Sequence, residues 1–575
     1  MGDQLVIKDL SFTYRGCEAP ALSGVNLSIE RGEFVAVCGH TGCGKSTLLR
    51  QIKTQIAPRG EVTGRIRLDG RDVTEYEPGE LAAKIGFVFQ SPDRQVVCDK
   101  VWHELAFGLE NLGVPKDAMR LRIAETAGYF GFEEFFQKDV KELSGGQMQL
   151  LSLASVMVMK PELMILDEPL AQLDPVTAGE FLNILVRLNK ELGITVIISE
   201  HRLDEVLPVA DRLVVMKKGE IICDDKPEAA GAFLNEIRDS MFCAMPVPMR
   251  VFADAGYRGE LPLTVGEGRR LLERLCAGKV QSGVVTSSDA RPMKKEDVRK
   301  ENGNSGNTAL SCKDLFFRYE RNSRDVLNGA TLDVRAGEIF CLMGANGCGK
   351  STLLSVMCRI KKPYRGKVLI DGKDINKYTD RELYRDRLAM LPQDPRTLFV
   401  KDTVYEEVYS AASLLRLDMK PEEVTEGLLS LVGLEDVLNR HPYDLSGGQQ
   451  QKLALAIVLA VRPAVILMDE PTKGMDAGFK REFAKILKDL CAQDIAVFMV
   501  SHDTEFCAEY GDKCALMFNG EIMAVSDTHS FFSGNFFYTT AARRMAGTLI
   551  PDAVLKDDVT AYVREFLEGT NSGEK

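Results

Sequence analysis

Short apolar runs recur along the chain, at 34–38, 163–166, 194–198, 339–343, 465–468 and 497–500. Each is far shorter than the roughly 20 apolar residues needed to span a bilayer. Bounded by glycine, proline and polar residues, they predict buried strands. Helix-like segments lie between them, so each half of the chain reads as α/β.

The pattern is a repeat. Gly39-His40-Thr41-Gly42-Cys43-Gly44-Lys45-Ser46-Thr47 returns as Gly344-Ala345-Asn346-Gly347-Cys348-Gly349-Lys350-Ser351-Thr352. Leu143-Ser144-Gly145-Gly146-Gln147 returns as Leu445-Ser446-Gly447-Gly448-Gln449, and Leu166-Asp167-Glu168-Pro169 as Met468-Asp469-Glu470-Pro471. Order and spacing hold over a whole domain's length, which identifies a duplication. The expected organisation is a first domain at 1–228, an appendage and linker at 229–308, a second domain at 309–530 and a C-terminal extension at 531–575. The later part of the interruption, 281–307, is rich in Ser, Gly, Asn, Lys and Asp and reads as a linker. The aromatic cluster at 531–538 (FFSGNFFY) reads first as core packing and second as a contact patch.

Composition narrows the class. The chain has 575 residues, 45% hydrophobic and 27% charged, as in soluble globular proteins. A net charge of −12 argues against a motor that tracks nucleic acid. The acidic start, Met1-Gly2-Asp3-Gln4, has no signal-peptide pattern. The chain is therefore expected in the cytosol, with any membrane role exerted through a partner. Its 14 cysteines form no paired CxxC motifs and read as reduced, small core residues.

The chemistry lies in the repeated motifs. Residues 39–46 and 344–351 fit G-x-x-x-x-G-K-[ST], each after an apolar run and before a helix start. Gly39, Gly42 and Gly44, like Gly344, Gly347 and Gly349, let backbone N–H groups turn toward an anion at a helix N-terminus. Lys45 and Lys350 are placed to reach the β- and γ-phosphates, while Ser46 and Ser351 are placed to ligate Mg²⁺. Asp167 and Asp469 end apolar strands and supply the second metal-side group. Glu168 and Glu470 follow them and suit polarisation of an attacking water. Gln90 and Gln393 stand at nearly equal distances from their lysines, each before a turn-forming proline, and can touch the metal or water and swing away without leaving a charge behind. His201 and His502 close apolar strands at matched register and read as γ-phosphate contacts.

Leu-Ser-Gly-Gly-Gln accompanying all these motifs, twice, resembles the signature of ABC ATPases. The resemblance implies two P-loop NTPase domains of ABC type in tandem, each with an α-helical signature subdomain, binding ATP and Mg²⁺. It implies an intramolecular pseudo-dimer with two composite sites, in which Ser144, Gly145, Gly146 and Gln147 serve the second phosphate loop and Ser446, Gly447, Gly448 and Gln449 the first. Tyr14 and Tyr319 match the aromatic that stacks on adenine, Thr47 and Thr352 follow the metal-side serines, and Asp174 and Asp476 match the D-loop aspartate. The stretches around Gln90-Ser91-Pro92-Asp93-Arg94-Gln95 and Glu470-Pro471-Thr472-Lys473-Gly474-Met475-Asp476 are similar to the ATPases of energy-coupling-factor (ECF) importers. That similarity implies a prokaryotic motor, peripheral at the cytoplasmic membrane face, gripping a transmembrane T-component that holds a substrate-binding S-component for a vitamin or transition-metal ion.

The halves differ at Arg202 against Asp503 and in the D-loops, 171–174 against 473–476. Neither lacks a chemical group, so both are expected to hydrolyse ATP. The acidic residues Asp93, Asp99, Glu104, Asp394, Asp402, Glu406 and Glu407 are candidates for pairing with a basic partner surface, or else solvated charges. The competing function is a soluble tandem ABC ATPase acting on ribosomes or DNA. The interrupting segment carries Pro246, Pro248, Pro262 and Pro292 and lacks the long basic helix that reading favours. A nucleotide-dependent regulator without transport is a third class.

Overall fold

The computed structural model describes residues 2–171, 173–277, 307–414 and 420–571. Most of the expected linker and the D-loop residue Gln172 lie outside the described residues. Two compact units are present: Met1–Ala253 with Arg258–Thr264, and Asp254–Tyr257 with Val265–Lys575.

In the first unit the strands are β1 (Asp3–Tyr14), β2 (Leu22–Glu30), β3 (Phe34–Gly39), β4 (Gly60–Leu68), β5 (Arg71–Asp72), β6 (Ile85–Val88), β7 (Leu163–Asp167), β8 (Thr195–Ser199), β9 (Arg212–Lys217) and β10 (Glu220–Asp225). They form a four-stranded sheet, β2-β1-β4-β5, and a six-stranded sheet, β10-β9-β3-β8-β7-β6. The apolar runs seen in the sequence of this half are the parallel strands β3, β7 and β8, and a fourth parallel strand, β6, joins them. Every residue of β3, β6, β7 and β8 is buried, as expected for parallel strands covered on both faces. Register pairs Val37 with Ser199, Asp167 with Ser199, and Leu166 with Val88. The carboxyl ends of β3, β8, β7 and β6 therefore line one edge in that order, where α/β folds hold their ligands.

The second unit repeats this with β11 (Thr308–Phe317), β12 (Leu327–Arg335), β13 (Ile339–Met343), β14 (Arg365–Ile370), β15 (Lys373–Asp374), β16 (Leu388–Leu391), β17 (Val465–Asp469), β18 (Ala496–Val500), β19 (Lys513–Phe518) and β20 (Glu521–Asp527). The sheets run β12-β11-β14-β15 and β16-β17-β18-β13-β19-β20, the same neighbours in the same places.

A helical subdomain is inserted between β6 and β7, with helices Val101–Asn111, Lys116–Phe130 and Gly145–Met157. Its own core is built on Val101, Leu105, Phe132, Val140, Leu151 and Ala154. The counterparts in the second unit are Val404–Ser413, Pro421–Val432 and Gly447–Ala460.

The described part of the interrupting segment divides between the units. Helix Pro227–Glu236 packs with the first. Helix Val265–Ala277 belongs to the second and packs on the C-terminal helices Ala541–Ala546 and Lys556–Asn571. There Lys556 Nζ pairs with Asp254 at 2.6 Å, and Arg564 donates to the Asp254 carbonyl at 2.8 Å. The aromatic cluster is split in character: Phe531 and Phe532 are buried, whereas Phe536 and Phe537 are 81% and 82% exposed. All 14 cysteines are free thiols, and all but Cys17 are buried or half-buried. No helix among the described residues is long and apolar enough to cross a membrane.

Candidate functional site

Each phosphate loop joins its central strand to a helix, β3 to Lys45–Ile52 and β13 to Lys350–Met357. The backbone at Gly39 and Gly44 has φ of 153° and 108°, repeated at Gly344 and Gly349 with 156° and 108°. A Cβ at Gly39 would stand 2.3 Å from the Met216 carbonyl oxygen, and one at Gly344 2.5 Å from that of Met517. Only glycine fits so close an approach. Gly44 and Gly349 give their helices no side-chain cap, which leaves first-turn N–H groups for an anion.

Lys45 is 4% exposed and Lys350 6%. Lys45 Nζ donates to the Gly39 and His40 carbonyls at 2.8 and 3.3 Å, and Lys350 Nζ to those of Gly344 and Ala345 at 2.8 and 2.9 Å. A buried ammonium held by carbonyl dipoles, beside uncapped N–H groups, suits a polyphosphate. Tyr14 ends β1, and Tyr319 lies two residues beyond β11. Their hydroxyls meet Thr47 Oγ1 and Thr352 Oγ1 at 2.8 and 3.1 Å, and both rings are exposed beside the loop.

Asp167 ends β7 and accepts from Ser46 at 2.8 Å and Ser199 at 2.9 Å, with Arg50 at 3.6 Å. Burial raises its pKa, as does the Glu168 charge, against the two hydroxyls and Arg50. Asp469 is also raised, by burial first, with the Ser351 hydroxyl opposing. A hard divalent cation fits this donor set: one hydroxyl and one carboxylate per module, the rest coming from phosphate and water.

Glu168 and Glu470 sit in the left-handed region, at φ 48° and 47°. That costs a non-glycine residue about 1–2 kcal/mol. The neighbouring strand holds the distortion, because Glu168 N–H donates to the Ser199 carbonyl at 3.0 Å and Glu470 N–H to that of Val500 at 2.9 Å. The same conformation recurs at the same residue of both modules. His201 Nε2 lies 2.9 Å from Glu168 and His502 Nε2 3.3 Å from Glu470. Gln90 Nε2 donates to Glu168 at 2.8 Å. Gln393 is exposed, and among the described residues it makes no hydrogen bond to Glu470. Burial pushes Glu470 upward, but the His502 hydrogen bond and the Lys473, His502 and Lys350 charges outweigh it and hold the carboxyl below its usual value.

Each signature opens a helix. Ser144 caps Gly145–Met157 in a reciprocal box with Gln147, at 3.3 and 2.9 Å; Ser446 and Gln449 do the same at 3.3 and 3.1 Å. Both glutamines are thus folded back on their own helix start, while the N–H groups of Gly145, Gly146, Gly447 and Gly448 begin the helix. Asp174 and Asp476 cap the next helix, accepting from Thr177 and Phe479 backbone N–H among others.

Two of the acidic candidates for partner pairing are buried and not available for it. Glu104 and Glu407 are each 3% exposed. Glu104 accepts from the Val97 and Cys98 N–H groups at 3.0 and 2.9 Å, and Glu407 from those of Val400 and Lys401. Asp394 is bound to Arg396 at 2.9 Å. Burial and backbone satisfaction, invisible in a charge pattern, turn Glu104 and Glu407 inward. Asp93, Asp99, Asp402 and Glu406 stay exposed.

Several residues make contacts that the sequence did not assign to them. Glu200, 2% exposed, accepts from Leu170 N–H at 2.6 Å and His201 N–H at 3.1 Å. Burial, then the Glu168 charge, push its pKa up to about 8. Arg202 donates to the Leu173 carbonyl at 2.9 Å. Lys473 lies 3.7 Å from Glu470. In the phosphate loop His40 Nε2 meets Ser240 Oγ at 2.7 Å. Only the asymmetry at 202 and 503 and in the D-loops hinted at any of them.

The fold and the loops together define a tandem phosphate-loop α/β protein. Residues 22–171 and 327–473 each match the ABC transporter family. A provisionally named ABC transporter ATP-binding protein of Bacillus anthracis is 39% identical over 554 residues, covering 96% of this chain and 97% of its own. A similarly named protein of Methanosarcina acetivorans is 33% identical over 539 residues, covering 92% of this chain and 87% of its own. Among solved structures, cbiO1 from Clostridium perfringens, described as part of the ABC transporter complex cbiONQ, is 35% identical, covering 42% of this chain and 95% of its own at a TM-score of 0.38. The chain belongs to the ABC transporter family, as an ATPase with two fused ATP-binding domains. Domains of this family bind ATP, generally with Mg²⁺.

Proposed function

We propose that the chain is the ATP-hydrolysing subunit of an ECF-type importer for a vitamin or transition-metal ion, working at the cytoplasmic face of a prokaryotic membrane through T- and S-components. One observation carries the motor reading. In each unit four adjacent parallel strands deliver a phosphate loop, a histidine, an Asp-Glu pair and a glutamine to one sheet edge, with no group missing from either. The ECF assignment rests on the sequence around Gln90–Gln95 and Lys473–Asp476, and is the finer part of the reading.

In this mechanism Lys45 and Lys350 bind the β- and γ-phosphates, and the first-turn N–H groups orient them. Ser46 with Asp167, and Ser351 with Asp469, would hold Mg²⁺, which neutralises phosphate charge when bound; Gln90 and Gln393 are further candidates for that shell. Glu168 and Glu470 orient the attacking water and accept its proton as the water oxygen bonds to the γ-phosphorus and the bond from that phosphorus to the β,γ-bridging oxygen breaks, with ADP as the leaving group. His201 and His502 contact the γ-phosphate and keep those carboxylates in place. Tyr14 and Tyr319 take the adenine. By the sequence resemblance, the signature residues of one half, Ser144 to Gln147 or Ser446 to Gln449, complete the phosphate site of the other. Closure on ATP and reopening after hydrolysis then drive the partner through the segments following Gln90 and Gln393.

Affinity purification of the full chain from membranes tests the reading. Recovery of a polytopic membrane protein with a second small membrane protein supports it. Recovery of ribosomes or DNA-binding proteins instead, with no membrane protein, overturns it.

A further inference from the structure

The two catalytic-glutamate candidates have the same first neighbour and different second neighbours. Glu168 takes His201 on one carboxylate oxygen at 2.9 Å and Gln90 on the other at 2.8 Å. Glu470 takes His502 on one oxygen at 3.3 Å, but Lys473 stands by the other at 3.7 Å. Gln393, the counterpart of Gln90, leaves Glu470 alone.

The difference is written in one residue of a shared turn. Ala171 N–H donates to the Glu168 carbonyl at 3.3 Å, and Lys473 N–H to the Glu470 carbonyl at 3.2 Å. Side chains at 171 and 473 therefore leave the backbone from equivalent places. Alanine stops at Cβ, whereas a lysine stem folds back far enough to bring its ammonium to the carboxylate of the residue three before it. Lys473 is 24% exposed and Glu470 19%, so the pair is partly shielded from water. A second link differs as well: His502 Nε2 also meets Asn346 Oδ1 of its phosphate loop at 3.0 Å, whereas His201 Nε2 stands 3.5 Å from Lys45 Nζ.

The tethers have different origins. Gln90 belongs to the loop that leads from β6 into helix Val101–Asn111, so movement of that loop moves the grip on Glu168. Lys473 belongs to the turn next to Glu470 itself. Displacement of the loop after β16 leaves it in place.

We propose that Lys473 is a positioning residue that holds Glu470 in the second module in the role that Gln90 plays for Glu168 in the first. Hydrolysis by the first module is then gated by its glutamine loop, and hydrolysis by the second depends on its own turn. This rests on the reading of Glu168 and Glu470 as the water-activating residues of two working sites.

The test measures steady-state ATP turnover by the full chain in two backgrounds, Glu470→Gln to isolate the first module's chemistry and Glu168→Gln to isolate the second's. The double variant is the blank. In the Glu168→Gln background, Lys473→Ala is expected to lower kcat about tenfold with KM little changed, and Lys473→Arg to recover most of it. Gln90→Ala in the Glu470→Gln background is expected to cost at least about fivefold more than Gln393→Ala in the other. Equal losses for the two glutamines, or Lys473→Ala within about twofold of its parent, overturn the proposal. A double variant as active as the unaltered chain overturns the reading of the glutamates instead. A single background with no turnover above the blank overturns the reading of two working sites, and the proposal with it.

Discussion

Asp167 and Ser199 stand opposite each other across the β7–β8 pair, and the serine hydroxyl donates to the carboxylate at 2.9 Å. The same hydroxyl accepts from Glu168 N–H at 3.1 Å, so one side chain steadies both acidic residues. In the second module Val500 occupies the place opposite Asp469. Ser199→Val leaves a buried carboxylate short of a donor and removes one acceptor from the strained Glu168 backbone. It is expected to cost about 1–2 kcal/mol, read as a fall in the melting temperature of the first unit, and to raise the Mg²⁺ concentration needed for half-maximal ATPase. Val500→Ser is expected to leave the Mg²⁺ requirement unchanged.

The signature helices differ in how closely the next helix approaches. A Cβ at Gly146 would stand 2.5 Å from Thr177 Cγ2, whereas one at Gly448 would meet Phe479 Cδ1 at 3.5 Å, an ordinary contact. Gly146→Ala forces Thr177 and its hydrogen bonds to Asp174 aside. It is expected to destabilise by about 1–3 kcal/mol, in the range of overpacking. Gly448→Ala is expected to fold normally. Thr177→Ser keeps the hydroxyl and deletes the obstructing methyl, so it should restore the melting temperature of Gly146→Ala. A clash located elsewhere would leave that double variant as unstable as the single.

The contrast between these glycines shows what a sequence carries. The two signatures are letter for letter alike over Leu-Ser-Gly-Gly-Gln, because the chemistry they serve is local and contiguous. The phosphate loops, the Asp-Glu pairs and the strand-end histidines were legible for the same reason: one short stretch of backbone supplies most of each group. Glu200, Arg202, Ser199 and Lys473 were not, since their partners lie across a strand pair or a turn and no period announces them. Left-handed backbone at Glu168 and Glu470 is hidden by a residue type that normally avoids it. The cluster at 531–538 was half legible, because density of aromatics speaks for burial but does not say which of them turn outward.

Glu104 and Glu407 look like partner-facing charges in the sequence and act as loop anchors in the fold. Each carboxylate accepts two backbone N–H groups of the segment leading into its helix. Removing either acceptor leaves those donors in a part-buried turn, at about 1–3 kcal/mol. Glu104→Ala and Glu407→Ala are therefore expected to lower the melting temperature and loosen that segment, seen as faster amide exchange at Val97, Cys98, Val400 and Lys401. Exposed Asp93, Asp99, Asp402 and Glu406 are expected to tolerate alanine without loss of stability. If any of the four pairs with a basic partner, its loss appears as weaker association in low salt only.

Glu200 makes the first module's stability depend on pH. Its carboxyl is held neutral up to about pH 8 by burial, reinforced by the Glu168 charge and opposed by Leu170 N–H, Arg202 and His201 N–H. In the unfolded chain it ionises near the ordinary carboxylate value of about 4.3. The folded form thus binds the proton more tightly, and this group's contribution is fully present below about pH 4.3 and is lost as pH rises toward 8. Glu200→Gln removes the titration while keeping an oxygen that accepts from Leu170 N–H. Between about pH 5 and pH 8 the unaltered first unit is expected to lose melting temperature more steeply than the Glu200→Gln variant, the two curves diverging up to about pH 8 and running parallel above it. Ser501 occupies this position in the second module, so Ser501→Ala should leave the slope of the second unit's transition unchanged. Parallel curves for the unaltered chain and Glu200→Gln across the whole range would mean that the carboxyl is ionised in the folded protein.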